Sequence, residues 1–453
     1  MNTNLIASSD RRVVVGLGAT GLSCARYFTR KGQAFTVVDT RSEPPGLAEL
    51  KRECPDVPVF LGDVPDAVIE SASELVVSPG VALSEPLVSK AQSAGAEVVG
   101  DIDLFMREAT APVVGITGSN AKSTVTELVG QMARDAGVKV AVGGNLGLPA
   151  LDLLSSSCEL YVLELSSFQL ERAGQLNLTV ATVLNITADH LDRHGNMPLY
   201  HRAKHRIFQG CKKAVVNRGD SLTTPLVAED VEVVGWRMGE PELGGFGLRY
   251  ENDREYLSWQ FDLLLPSDEL GFTGRHNIAN ALSALAIGYC ADIPLDSMLG
   301  TLREFSGLPH RCQQIAEIDA VVYVNDSKGT NIGATEAALS GLGGDRNIVL
   351  IAGGQGKGAD FDLLLPSIER FCKQVVLIGE AREQMQHCFQ GVVDVALADS
   401  MEHAVAMAAT KAVSGDCVLL SPACASFDMF SGYAERGNAF ATAVNVLQSG
   451  GVQ

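Results

Sequence analysis

A glycine-rich turn carrying a lysine and two hydroxyls lies at Gly115-Ile116-Thr117-Gly118-Ser119-Asn120-Ala121-Lys122-Ser123-Thr124. It follows a β-rich run, Pro112–Thr117, and opens a helical pattern expected over Ser119–Arg134. Such a loop can cradle phosphates. Backbone N–H groups face the anion, Lys122 reaches the β and γ groups, and Ser123 or Thr124 can hold magnesium. It departs twice from the strict pattern: the first glycine is one place early, and Ala121 stands where glycine normally precedes the lysine. A second turn, Gly16-Leu17-Gly18-Ala19-Thr20-Gly21, also joins a strand to a helix, and Asp39 ends the next strand. Strand, glycines and acid together fit the dinucleotide fingerprint, which specifies a diphosphate but not NAD. Ser78-Pro79-Gly80 closes a further strand where the same ligand could rest.

Other polar groups fall at strand ends. Leu160–Glu164 is an apolar run ending in a carboxylate, which beside a phosphate loop usually serves magnesium. Ser166-Ser167-Phe168-Gln169 after it is too polar for simple core. His190 and His194, like His201 and His205, have the i, i+4 spacing of a zinc pair, but no glutamate completes an H-E-x-x-H arrangement. Magnesium prefers oxygen ligands, so a histidine ligand to it is unusual. Lys204 lies in an expected helix, Tyr200–Phe208, where pattern alone makes it a solvated basic residue. Arg275–Asn280, Leu308–Arg311, Asn325–Asn331 and Gly353–Gly358 are further polar corners, each weak alone. Their shared place at strand C-termini is informative, because open α/β sheets bind ligands there.

The elements that must hold these groups follow from periodicity. Strands are expected at Arg12–Leu17, Phe35–Asp39, Val57–Phe60, Glu74–Ser78 and Glu97–Val99, with helices at Leu22–Lys31 and Glu85–Ala94, a parallel βαβ unit. A second unit begins near Asp101. Its first helix repeats Val125, Leu128, Val129, Met132 and Ala133 at i, i+3, i+4, i+7 and i+8, with Gly137 just past its end. Strands follow at Leu160–Leu163, Ala181–Asn185 and Ala214–Val216. Residues 221–272 alternate, are turn-rich and read as antiparallel strands, and Arg275–Ala291 reads as a helix. Beyond Gly307, α/β alternation returns with strands at Val321–Asn325, Asn347–Ile351, Gln374–Ile378, Val393–Ala396 and Cys417–Leu420. The expected domains are 1–100, 101–307 and 308–453.

Length agrees: 453 residues suggest about three domains. The formal net charge of -19, with no basic stripe, excludes a nucleic-acid partner, so an anionic substrate must be held by a few placed cations. The ten cysteines are scattered without a C-x-x-C pair and read as reduced thiols of a cytoplasmic protein. No apolar run suits a signal peptide or membrane helix, and no membrane association is expected.

In order along the chain stand G-x-T-G-S-N-x-K-S-T, E-L-S-S-F-Q-L-E, T-x-D-H-L-D-R, R-H-N-x-x-N, L-P-H-R, N-D-S-K-x-T-N and S-P-A-C-A-S-F-D. This set is similar to that of the Mur ligases of peptidoglycan synthesis, over nearly the whole chain, and most closely to members that add D-glutamate. The resemblance implies an α/β fold of three domains: a Rossmann-like N-terminal domain that binds UDP, a central P-loop ATPase domain and a Rossmann-like C-terminal domain that binds the amino acid. It implies phosphorylation of the carboxylate of UDP-N-acetylmuramoyl-L-alanine by ATP, followed by attack of the D-glutamate amine on the acyl phosphate, in a monomer with two magnesium ions. Gly18, Ala19, Thr20, Asp39, Thr40, Arg41 and Gly80 match its UDP site, and Asn145 and Ser167 further substrate positions. Gly118, Asn120, Lys122, Ser123 and Thr124 match the triphosphate site, with Asn280, Arg311 and Asp326 as nucleotide contacts. Ser123 and Glu164 match the first metal, His190 and Lys204 the second; the family lysine is carbamylated. Lys122, His190 and Lys204 are the implied catalytic groups. Lys328, Thr330, Lys357, Ser426, Phe427 and Tyr433 match the D-glutamate region, where the aromatic pair departs from the commonest residues.

Two other readings leave residues unexplained. An NAD-dependent dehydrogenase would use Gly16–Gly21 and Asp39 but not the Lys122 loop. A nucleotide switch would use that loop but not Asn325–Asn331. Within the family, the diaminopimelate-adding ligase carries D-N-P-R, absent here, and folylpolyglutamate synthase lacks the N-terminal domain.

Overall fold

Three twisted sheets carry the chain in the computed structural model, which describes residues 11–450 except Thr273 and Lys357. The first is wholly parallel, in the order Val59–Leu61, Phe35–Asp39, Arg12–Val15, Glu74–Val77, Glu97–Val99. Strand order reverses beside Arg12–Val15, so the Gly16–Gly21 turn and the Ser78–Val81 loop flank one crevice, where such sheets take ligands. Gly21 is needed there for close approach: a Cβ on it would lie 1.9 Å from the Gly16 carbonyl oxygen.

The second sheet has nine strands, ordered Asp262–Pro266, Arg254–Trp259, Gly245–Glu251, Glu232–Trp236, Lys213–Asn217, Val180–Val183, Val113–Thr117, Leu160–Glu164, Val140–Gly144. Val113–Thr117 is buried throughout, as a strand covered on both faces requires. The helix Lys122–Asp135 buries Val125, Leu128, Val129, Met132 and Ala133 against it. The helix begins at Lys122 rather than Ser119, because Gly118–Ala121 forms the loop. The expectation of antiparallel strands over 221–272 is corrected in part. Glu232–Trp236 pairs parallel with both neighbours, and only the last three strands form an antiparallel meander. Val140–Gly144 was not expected as a strand, since its two closing glycines weaken the β signal.

The third sheet runs Gln313–Ile318, Val321–Asn325, Cys417–Leu420, Ile348–Gly353, Cys372–Ile378, Asp394–Leu397. All pairs are parallel except the first, a half-polar edge strand that periodicity missed. One core runs without interruption from the first sheet into the second, through Phe28, Phe105 and Tyr161; the last two rings meet edge to face at 5.0 Å. The third sheet has cores of its own. It meets the second partly through polar groups: Asn331 Nδ2 donates to Asn120 Oδ1 at 3.2 Å and to Asp189 Oδ2 at 3.1 Å.

Candidate active site

Between the second and third sheets lies a cavity of about 360 Å³. It gathers Asn120, Lys122, Ser123, Thr124, Asn145, Glu164, Ser167, His190, Lys204 and Asn280 from one side, and Arg311, Asp326, Lys328 and Thr330 from the other. Four cationic side chains and two carboxylates line it, a local excess of positive charge in a chain of formal charge -19. A polyanion is the ligand such a cavity suits.

The loop geometry is specific. Ala121 adopts φ 66° and ψ -5°, left-handed backbone that favours glycine, and hands over directly to the helix starting at Lys122. Lys122 is partly buried, and its Nζ donates to the carbonyls of Gly118 at 2.9 Å and Ser119 at 2.8 Å. Burial pushes its pKa down, against the pull of Glu164 and Asp189. Ser119 Oγ donates to the Thr187 carbonyl at 2.9 Å and meets Tyr200 Oη at 3.0 Å, and Asn120 N–H donates to Asn185 Oδ1 at 2.8 Å. The loop is thus tied to the strand end beside it.

Glu164 accepts from Ser123 Oγ and from Asn145 Nδ2, each at 2.6 Å. Burial alone would raise its pKa; Lys122 and these two hydrogen bonds outweigh that and keep it ionised. Lys204 is 2% exposed, contrary to the solvated residue that pattern alone suggests. Its Nζ donates to the Gly118 carbonyl at 2.7 Å and stands 4.7 Å from the Tyr200 ring centre. Burial first, and Lys122 second, push its pKa well below the usual lysine range.

Across the cavity, Asp326 accepts from Cys312 N–H at 3.2 Å and Ser421 Oγ at 2.7 Å, and burial raises its pKa to about 6. Lys328 lies 4.0 Å from the Tyr433 ring centre, and burial, with Arg311 and Lys122 nearby, lowers its pKa to about 8. Ser426 is buried and Phe427 is 66% exposed; neither lines this cavity, and Lys357 lies outside the described residues. The zinc spacings do not assemble a site. His194 Nε2 is 3.0 Å from Ser167 Oγ, the His201 and His205 rings stack at 3.9 Å, and no group of three or more His, Cys, Asp or Glu among the described residues could hold a metal.

Gly18, Ala19, Thr20, Asp39, Thr40, Arg41 and Gly80 cluster apart, at the crevice of the first sheet. Asp39 accepts from Leu17 N–H at 2.7 Å and Arg41 N–H at 2.9 Å and pairs with the Arg41 guanidinium at 2.7 Å. Its carboxylate therefore shapes the glycine turn as well as facing the crevice. A Cβ on Gly18 would meet nothing within 4 Å, which leaves room for a ligand at the helix start.

Family models match three consecutive stretches: the Mur ligase MurD-like N-terminal domain over residues 10–100, the Mur ligase middle domain over 116–288, and the Mur ligase glutamate ligase domain over 310–424. The chain belongs to the Mur ligase family. Relatives named UDP-N-acetylmuramoylalanine–D-glutamate ligase from Pseudomonas syringae pv. tomato and Pseudomonas aeruginosa are each 52% identical, over 98% of this chain and all of theirs. One from Hahella chejuensis is 49% identical over the same shares. Among solved structures, the UDP-N-acetylmuramate–alanine ligase of Thermotoga maritima matches with TM-score 0.58 at 15% identity, covering 97% of this chain and 99% of that one. A pseudomurein peptide ligase from Methanothermus fervidus matches with TM-score 0.58 at 18% identity, covering 91% and 96%. These distant likenesses show that the three-domain fold is shared.

Residue patterns did not single out several groups that line the cavity of this Mur ligase. Tyr200 is one, although its place four residues before Lys204 on one helix was a usable signal. His276 is another. Its Nδ1 is buried without a hydrogen-bond partner, and burial lowers its pKa to about 4, so the ring is neutral. No helix among the described residues is long and apolar enough to cross a membrane.

Proposed function

We propose that this Mur ligase joins D-glutamate to UDP-N-acetylmuramoyl-L-alanine at the expense of ATP, through an acyl phosphate, in peptidoglycan precursor synthesis. The observation that carries the reading is the cavity itself: a phosphate loop from one domain faces Arg311, Asp326 and Lys328 from the next. The domains are assigned as 1–100 for the UDP-linked substrate, 101–307 for ATP and 308–453 for the amino acid, in a chain that acts in the cytoplasm as a monomer.

Chemistry explains the division of labour. A carboxylate is a poor electrophile, and phosphorylation gives it a leaving group. Gly118, Asn120, Lys122, Ser123 and Thr124 hold the triphosphate, with Lys122 set against charge that moves to the β–γ bridge. Asn280, Arg311 and Asp326 hold the nucleoside. Asn145 and Ser167 steady the substrate carboxylate, and Lys328, Thr330, Lys357, Ser426, Phe427 and Tyr433 place D-glutamate so that its amine faces the acyl carbon. Gly18, Ala19, Thr20, Asp39, Thr40, Arg41 and Gly80 hold the uridine diphosphate.

Magnesium fits the donors present. Glu164 and Ser123 offer two oxygens that already meet at 2.6 Å, and magnesium commonly takes one or two carboxylates beside water and phosphate. When bound it neutralises phosphate charge and polarises the transferring group. The second corner offers His190 and Lys204, and an ammonium ligates nothing. Lys204 is buried beside another amine, which favours its neutral form, and a neutral amine takes up carbon dioxide. Carbamylated Lys204 would supply the oxygens this corner lacks.

The test is phosphate release across UDP-muramoyl substrates and D-amino acids. Release should require UDP-N-acetylmuramoyl-L-alanine and D-glutamate together. Equal release with another amino acid, or with NAD displacing the sugar nucleotide, would overturn the reading.

A further inference from the structure

Arg172 ends the short helix Ser167–Arg172, and its side chain is wholly shielded from solvent. Its guanidinium serves the main chain of the first domain. It donates to the carbonyls of Val77 at 3.0 Å, Ser78, Pro79 at 3.4 Å and Val81 at 3.0 Å. Arg193 reaches the same segment, donating to Val81 O at 2.8 Å and Gly80 O at 3.5 Å. Glu171 lies 4.0 Å from the first guanidinium and 3.9 Å from the second, so the buried charge is partly balanced. A planar fork of five donors spread over several carbonyls fixes a loop in both place and rotation, which a single ammonium does not.

The chain of contacts continues both ways. Ser78 Oγ donates to the Gly16 carbonyl at 2.9 Å and so joins this loop to the diphosphate turn. At the other end of the Arg172 helix, Ser167 lines the central cavity and touches His194. The first and second domains share one core, so a fixed loop here has a fixed frame behind it.

We infer that Arg172 is a positioning residue for the nucleotide-linked substrate: it locks the Ser78–Val81 loop against the Gly16–Gly21 turn and aligns the diphosphate corner with the phosphoryl-transfer cavity. This rests on the UDP reading of that corner given under the proposed function. A substrate held in two domains reacts only if both ends are placed together, and small misplacements are costly.

The test uses full-length Arg172→Lys, which keeps the charge and loses the fork, and Ser78→Ala, which cuts the same path from the first domain without touching a buried charge. Folding is checked by thermal melts. Arg172→Lys should raise KM for the UDP-linked substrate, and Kd for UDP by calorimetry, by about ten-fold, with KM for ATP within two-fold of wild type. Ser78→Ala should shift both in the same direction by a smaller factor. Unchanged UDP affinity in both folded variants overturns the inference, as does a loss shared equally by ATP and the UDP-linked substrate, which marks a merely structural role. Should Arg172→Lys fail to fold, Ser78→Ala decides alone. Calorimetry needs no turnover, so a wild-type enzyme that binds UDP yet adds no D-glutamate overturns the proposed reaction and leaves this result readable. A wild type that binds no UDP overturns both.

Discussion

Lys122 and Lys204 donate to one and the same acceptor, the Gly118 carbonyl oxygen, at 2.9 Å and 2.7 Å. Lys204 is buried and Lys122 partly so; burial lowers both pKa values, and Lys122 lowers that of Lys204 further. Glu164 and Asp189 offset part of this crowding of positive charge, but burial still favours the neutral forms. A bound triphosphate would offset Lys122, and carbamylation would turn Lys204 into an anion.

Lys204→Ala should therefore lose activity by about 10²-fold, on the scale of a lost metal-positioning group. Lys204→Arg should not restore it, because guanidinium cannot form a carbamate. Acetate in the buffer should partly rescue the alanine variant. Steady-state rates with and without acetate check this; a fully active Lys204→Arg would contradict it.

Lys122→Ala should fold and lose turnover by about 10³-fold, the scale of a lost transition-state charge contact. It also removes a positive neighbour of Lys204, whose pKa should rise. A thermal melt together with single-turnover phosphate transfer reads both fold and chemistry, and near-normal transfer would refute the assignment.

Ala121→Gly should stabilise the protein. Left-handed backbone costs an alanine about 1–2 kcal/mol, while a glycine costs about 0.5–1 kcal/mol in extra unfolded-state freedom. The expected net gain is about 0.5–1 kcal/mol with activity kept, measured by denaturant unfolding. A loss of stability would mean that the alanine methyl makes contacts that offset the strain.

Asp326 predicts a pH effect. Its folded pKa, about 6, lies above the ordinary 3.8, because burial penalises the charge. Its contribution to stability is thus fully present below 3.8 and lost as pH rises through about 6. On its proposed nucleotide-binding role the sign is opposite, since only the carboxylate can accept hydrogen bonds from hydroxyls at both oxygens. KM for ATP should rise as pH falls through about 6, and Asp326→Asn should flatten that dependence.

How much of this was legible in the sequence differs by residue. Lys122, Glu164 and Asp39 were, because short motifs tie residue type to a strand end. Lys204 was not: a helical lysine looks solvated until Tyr200 and the Gly118 carbonyl are seen around it. Arg172 was invisible for the same reason, since its partners are carbonyls almost a hundred positions away and any sequence offers carbonyls. The parallel pairing of Glu232–Trp236 was missed because alternation reports exposure on one face and says nothing of strand direction.

The third domain should swing away when ligands are absent. It has separate cores and touches the loop side through Asn331, so opening exposes polar groups at modest cost. X-ray scattering should give a smaller radius of gyration with ATP analogue and substrate than without, and identical profiles would count against closure.

The acyl phosphate is tested most directly by isotope. UDP-N-acetylmuramoyl-L-alanine labelled with ¹⁸O in its carboxylate is turned over with ATP and D-glutamate, and the released phosphate is analysed by mass. Transfer of the γ-phosphoryl group to the carboxylate, followed by loss of phosphate to the amine, leaves one labelled oxygen in each phosphate. Released phosphate free of label would contradict the account.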